Sequence, residues 1–156
     1  MAYEYRTIYL SDSSTGVDDT TGAIPGIAME KTITVPTNRY YRIVSLRATA
    51  VSAAAAGSRQ LVFTVDPGST SDTTAYIEVR AGAVQVANLT RYYIFAPNVD
   101  RLTAFADTDW ITSPIPDVEL PPGSVIRVFD EAAIGSTAAP DDLDIRAIIQ
   151  SRGGIA

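Results

Sequence analysis

Arg39-Tyr40-Tyr41-Arg42-Ile43-Val44-Ser45-Leu46-Arg47-Ala48-Thr49-Ala50-Val51 is the stretch whose period decides the fold. Tyr41, Ile43, Ser45, Arg47, Thr49 and Val51 fall on one side, and Tyr40, Arg42, Val44, Leu46, Ala48 and Ala50 on the other. A period of two belongs to a β-strand, whose successive side chains point to opposite faces. The second set, interrupted only by Arg42, is expected to face the core.

The chain repeats that signal in shorter pieces. Runs of β-branched and aromatic residues recur at Ile27 to Val35, Arg59 to Val65, Ala75 to Arg80, Leu89 to Phe95, Ser124 to Phe129 and Leu143 to Ile149, the composition of strands. Between the runs stand Pro36-Thr37-Asn38, Asp66-Pro67-Gly68, Pro97-Asn98, Pro121-Pro122-Gly123 and Pro140-Asp141. Proline fixes φ, and Gly and Asn tolerate a positive φ, so these are the places where strands reverse. The best helix formers run only from Ser52 to Ala56, too short a stretch to hold a helix alone. About eight strands in one small domain predict an all-β fold, a single-domain antiparallel β-sandwich with an N-terminal arm. The long connections favour a jelly roll over an up-and-down barrel.

Residues 1–26 are read as an N-terminal arm and polar loop, and 27–156 as the β-sandwich domain. Tyr3 to Leu10 has strand composition; it either edges its own sheet or adds to a neighbour's. The stretches Ser11 to Pro25 and Asp66 to Thr74 are rich in Ser, Thr, Asp and Gly and are expected to be exposed, mobile loops. Arg39-Tyr40-Tyr41 is echoed by Arg91-Tyr92-Tyr93, but no fixed period links their surroundings, so no solenoid or propeller follows.

Composition removes much chemistry. With 156 residues, 46% hydrophobic and 19% charged, the chain is globular rather than disordered. It has neither His nor Cys, so a Ser-His-Asp triad, a thiol nucleophile, a Cys/His zinc site and a disulfide are all excluded. Net charge is −6 and the basic residues are scattered, which argues against direct nucleic-acid binding. No stretch approaches the roughly 20 apolar residues of a membrane span, and Met1 to Arg6 does not read as a signal peptide. Of the twelve cations only Lys31 is a lysine; the excess of Arg fits either multi-donor contacts to partner subunits or a genome rich in G and C.

The acidic clusters carry little. Asp141, Asp142 and Asp144 lack the alternating spacing and distal Glu of an EF-hand, and read as a turn with a solvated strand entry. Asp107 with Asp109, and Asp18 with Asp19, have no further ligands close in sequence, so no metal and no cofactor is assigned. Thirteen Asp and five Glu make some carboxylate pair inevitable, but a glycosidase also needs aromatic platforms, and Trp110 is the only Trp. Phosphate-loop, dinucleotide and serine-esterase motifs are absent. The protein is therefore expected not to be an enzyme. Trp110, Ile111 and Pro114-Ile115-Pro116 form either an exposed apolar surface or a cover over one open end of the sandwich.

Three later segments carry a family resemblance. They are Glu78 to Gln85, Leu89-Thr90-Arg91-Tyr92-Tyr93, and Leu120-Pro121-Pro122-Gly123-Ser124-Val125-Ile126-Arg127-Val128-Phe129-Asp130 with Ala132-Ala133-Ile134 and Asp141-Asp142. Together they resemble small virion structural proteins of tailed bacteriophages, most of all capsid decoration, or cement, proteins. The similarity spans Tyr40 to Gln150, rests on turn and strand signatures, and leaves the chain through Asn38 uncovered.

The resemblance implies a jelly-roll domain, assembled as a homotrimer, that binds the major capsid protein on the outer surface of an assembled shell. Such a protein stabilises the shell because it binds the assembled state and not free subunits. From this sequence, Tyr3, Tyr5 and Tyr9 are the candidate capsid or neighbour contacts, and Trp110 and Ile115 the candidates for the trimer or capsid face. The rival reading is a receptor- or carbohydrate-binding module of a phage fibre or other virion surface, with Trp110 as a stacking platform.

Overall fold

The computed structural model describes residues 3–10, 30–52, 54, 56–68, 75–104, 110–132 and 141–153. Its elements are strands: β1 (Glu4–Leu10), β2 (Glu30–Thr34), β3 (Arg39–Val51), β4 (Leu61–Asp66), β5 (Ile77–Arg80), β6 (Thr90–Ala96), β7 (Trp110–Pro114), β8 (Glu119–Leu120), β9 (Val125–Asp130) and β10 (Asp142–Gly153). Four antiparallel pairs nest within one another along the chain: β1 with β10, β2 with β9, β3 with β6, and β4 with β5. Alternate pairs go to opposite layers, giving one sheet in the order β1-β10-β3-β6-β7 and a second in the order β2-β9-β4-β5. A long hairpin of four nested pairs, rolled into two packed sheets, is a jelly roll. The all-β sandwich expected from the sequence is therefore the fold.

Two short strands were not legible. β7 runs parallel to β6 at the edge of the first sheet, the one departure from antiparallel pairing among the described strands. It ends at Pro114, which an edge strand tolerates because no ladder donor is needed there. β8 pairs with β3 at Tyr41 and Arg42, on the edge that β6 occupies from Leu46 onward. Residues 4–10, set apart by the sequence as an arm, pair with β10 of the same chain. The stretch 11–25, the pairs Asp18-Asp19 and Asp107/Asp109, and parts of 52–56 and 66–74 lie outside the described residues.

The face assignment of β3 needs correction. Leu46, Ala48 and Ala50 are buried as expected, but in the first half of the strand Tyr41 and Ile43 are buried while Val44 is exposed. The pairing with β10 slips between Ile149, opposite Ile43, and Ile148, opposite Ser45. Val44 is the extra residue of a β-bulge, and one inserted residue exchanges the two faces of everything beyond it.

The core lies between the sheets. Leu46, Phe95 and Tyr93 from one sheet meet Phe63, Val65 and Val128 from the other, and the rings of Phe63 and Phe95 stack with centroids 5.6 Å apart. At one end of the sandwich the proline and glycine turns gather. Val35 exchanges backbone hydrogen bonds with Gly123 and Ser124, and Gly68, at φ +94°, leaves only 2.9 Å between a would-be Cβ and the carbonyl oxygen of Gly123.

The opposite end is closed by buried polar groups. Arg59 precedes β4, Gln85 lies between β5 and β6, and Asp141 enters β10, so three connections between the sheets converge there. Arg59 Nε and Nη2 donate to Asp141 Oδ2 and Oδ1 at 2.8 and 3.1 Å, and Nη1 donates to the carbonyl of Gly57. The Arg59 and Gln85 backbones exchange two hydrogen bonds. Gln85 Nε2 donates to the carbonyls of Ala50 and Leu89 while its Oε1 accepts from Tyr93. Burial pushes the Tyr93 phenol up, which keeps it a donor. Asp141 is thus a buried structural partner, not the solvated strand entry the sequence reading assigned.

Asp130, fully buried beside this pair, accepts N–H groups of Gln60 and Ala132 through Oδ1. Burial raises its carboxyl above the usual 3.8, with Asp141 adding to the effect and the two N–H donors and Arg59 opposing it.

Two outcomes follow for stability. Arg59→Met strands the Asp141 carboxylate and should cost about 3–5 kcal/mol by urea denaturation, while Arg59→Met with Asp141→Leu should cost clearly less. An acid with a raised folded-state pKa adds stability at low pH that disappears as pH rises through that pKa. The stability of Asp130→Asn relative to the parent should therefore increase as pH is raised from the ordinary carboxylate range towards neutrality; a relative loss over that rise in paired denaturation curves would refute the assignment.

Candidate interaction face

Local pleat places the face. Tyr5, Thr7 and Tyr9 on β1 stand opposite Gln150, Ile148 and Arg146 on β10, all turned away from the core. Arg146 in turn is the register partner of Arg47 on β3, and Thr49 of Tyr92 on β6, whose other neighbour is Trp110 on β7. Five strands thus bring rings and guanidinium groups into one band on the outward side of the larger sheet.

One half of the band is neutralised internally. Arg152 Nε donates to Glu119 Oε2 at 2.6 Å, Tyr3 Oη donates to the same oxygen at 3.1 Å, and Arg152 lies 4.2 Å above the Tyr40 ring. Arg42 grips Asp117 with two donors, Nε at 2.6 Å. Hydrogen bonds from Arg152 hold the Glu119 carboxyl below its ordinary range, and those from Arg42 do the same for Asp117.

The other half is cationic and aromatic. Trp110 and Tyr92 stack with centroids 4.9 Å apart, Arg47 lies 5.4 Å over the Trp110 ring, and Arg146 lies 5.2 Å over that of Tyr9. These groups, with Thr49 and Asp144, line a hollow of about 240 Å³. Between the halves Tyr5, Ile148 and Val44 stand exposed, and Gln150 Nε2 donates to Tyr5 Oη at 2.8 Å.

Four of the five residues singled out from sequence therefore share one face. Tyr5 and Tyr9 are 69% and 54% exposed and Tyr3 46%; Trp110 is half-buried on the sheet, not over an open end of the sandwich. Ile115 is the exception. It belongs to the hydrophobic core at 6% exposure, because it follows β7 inward and its N–H donates to the carbonyl of Ala96, so it offers no surface to a partner. Sequence reasoning missed Arg47, Arg146 and Tyr92. Alternation put Arg47 on a non-core side, but which residues face each other across strands is not written in the sequence.

Among the described residues no group of three or more acidic side chains could hold a metal ion, and no helix is long and apolar enough to cross a membrane. The chain matches no protein-family model and no curated protein.

The distinction between core and face is measurable. Ile115→Ala should lose about 2–5 kcal/mol of stability as a core truncation, whereas Tyr5→Ala should stay within about 0.5 kcal/mol, both read from denaturation midpoints.

Proposed function

We propose that the protein is a structural virion protein, a homotrimeric cement protein that binds the major capsid protein on the outer surface of an assembled tailed-phage shell. In this reading it is not an enzyme, needs no cofactor, and touches neither nucleic acid nor membrane. The observation that carries it is the outward face of the larger sheet, where exposed Tyr5, Tyr9 and Ile148 lie beside Arg47, Arg146 and Trp110. Tyr, Trp and Arg are the residues enriched in protein–protein interfaces, and such a face needs a partner more than it needs a substrate. The jelly-roll order of strands is compatible with this role, and the resemblance of residues 40–150 to decoration proteins points the same way.

A glycan-binding module is the second reading, favoured by the aromatic lining of the hollow. Against it, Trp110 already spends ring surface on Tyr92 and on Arg47.

Light scattering over a dilution series separates assembled from solitary forms. A mass near three times 16.6 kDa that persists to about micromolar concentration is expected for a closed trimer with an interface of standard size. The capsid arm uses heads of the phage that encodes the protein: Tyr5→Ala with Tyr9→Ala should lower occupancy, and unchanged occupancy would remove this face from the capsid contact.

A further inference from the structure

The two arginines at the hollow differ from three others at the surface. Arg42, Arg80 and Arg152 are each held by a carboxylate of the same chain. Arg47 and Arg146 lie over rings instead, and among the described residues neither forms a salt bridge. They also face each other directly in the register of β3 and β10, an arrangement of like charges that costs stability. The chain has 18 acidic residues and a net charge of −6, so carboxylates are abundant, yet among the described residues only Asp144 reaches the lining of the hollow. Among the described residues two guanidinium groups thus stand against one carboxylate, a positive balance on an acidic protein.

Geometry narrows the ligand. Stacking on Tyr9 and Trp110 limits the rotamers of both arginines before anything binds, which lowers the entropy lost on binding. A guanidinium presents parallel donors that match the two oxygens of a carboxylate. At about 240 Å³ the hollow is smaller than pockets that enclose whole small molecules, roughly 300–1,000 Å³, and suits one acidic side chain. Beyond its rim the exposed Ile148, Val44 and Tyr5 supply apolar contact for residues flanking that side chain.

We infer that the hollow between Tyr9, Arg146, Arg47 and Trp110 receives a carboxylate side chain presented by an acidic, extended segment of a protein partner. Charge complementarity selects that occupant, and the apolar strip beside the hollow extends the contact beyond a single residue. The inference deepens the docking role proposed above and rests on the same face, but not on the trimer.

Trp110 is the only tryptophan of the chain and lines the hollow, so its fluorescence reports occupancy. The probe is a ten-residue glutamate-rich peptide titrated into the full-length protein, with an oligolysine peptide as control. The expected result is a saturable change in Trp110 emission with the acidic peptide only, weakening as salt rises from about 0.05 to about 0.5 M. Arg47→Gln with Arg146→Gln should lower the affinity about tenfold or more without lowering the melting temperature. Silence of the parent protein, or equal binding by the double variant, overturns the inference.

Two further outcomes count against it. Polygalacturonate that saturates the signal where the peptide does not would assign the hollow to an acidic glycan. A self-association abolished by the double variant would assign it to a second copy of this chain. The tests also separate the two proposals: a trimer that ignores the peptide overturns the inference alone, and a monomer that binds it overturns only the trimer.

Discussion

The Arg59–Asp141 pair is the constraint on which the sandwich depends. A jelly roll joins its two sheets through connections at the ends, and at this end three of them meet around one buried guanidinium. The pair is 1% and 0% exposed, so each charge loses its water, and neither is tolerable without the other. Gln85, bonded to Arg59 through both backbones, carries the restraint to the ends of β3 and β6. Apolar packing alone lets two sheets slide; a two-point bond between residues 82 positions apart fixes how the long hairpin closes on itself.

The second constraint is the bulge at Val44. In a strictly alternating β3, Arg47 and Thr49 share a side with Tyr41 and Ile43, so the strand must either bury a cation or expose two large apolar side chains. The inserted residue removes the conflict. Before it Tyr41 and Ile43 point inward and Arg42 outward; after it Leu46, Ala48 and Ala50 point inward and Arg47 outward. The same bulge falls where the neighbour of β3 changes from β8 to β6, a gap in the ladder that leaves room for an unpaired residue. The outward face thus collects arginines along the whole length of the strand, and the candidate site is a by-product of how the core was completed.

This explains what the sequence could and could not tell. Strand period, turn residues and the lack of helix formers are local signals, and they led to the all-β sandwich. Asn98, at φ +59°, and Gly68 and Gly123 fall in the turns assigned from composition. Three kinds of feature were hidden. The bulge at Val44 is specified by the partner strand, not by β3 itself. Ile115 was misplaced because its burial comes from a turn after a parallel edge strand whose five residues carry no clear period. Arg59 with Asp141, and Arg47 with Arg146, are pairs across large sequence separations, and no pattern in one chain marks them. The exposed tyrosines of β1 could be read because Tyr5 and Tyr9 fall on one side of the strand's alternation and Ile8 and Leu10, which pack against the core, on the other.

In the docking role proposed above, the placement of positive charge on an acidic protein also governs how the face would work. At physiological salt the Debye length is about 8 Å, so an acidic partner approaching from most directions meets only the repulsion of the nearest carboxylates. The internally neutralised half of the band, with Arg42 on Asp117 and Arg152 on Glu119, neither attracts nor repels strongly. Attraction is left to Arg47 and Arg146, two charges within one small hollow. Electrostatics of this kind adds less to affinity than to orientation, because wrong approaches are penalised while one is rewarded. Affinity must then come from the apolar strip of Ile148, Val44 and Tyr5, which is of use only once the arginines have set the angle of approach. A face built this way would favour one register of a partner over acidic surfaces in general, which accords with the cement role proposed above.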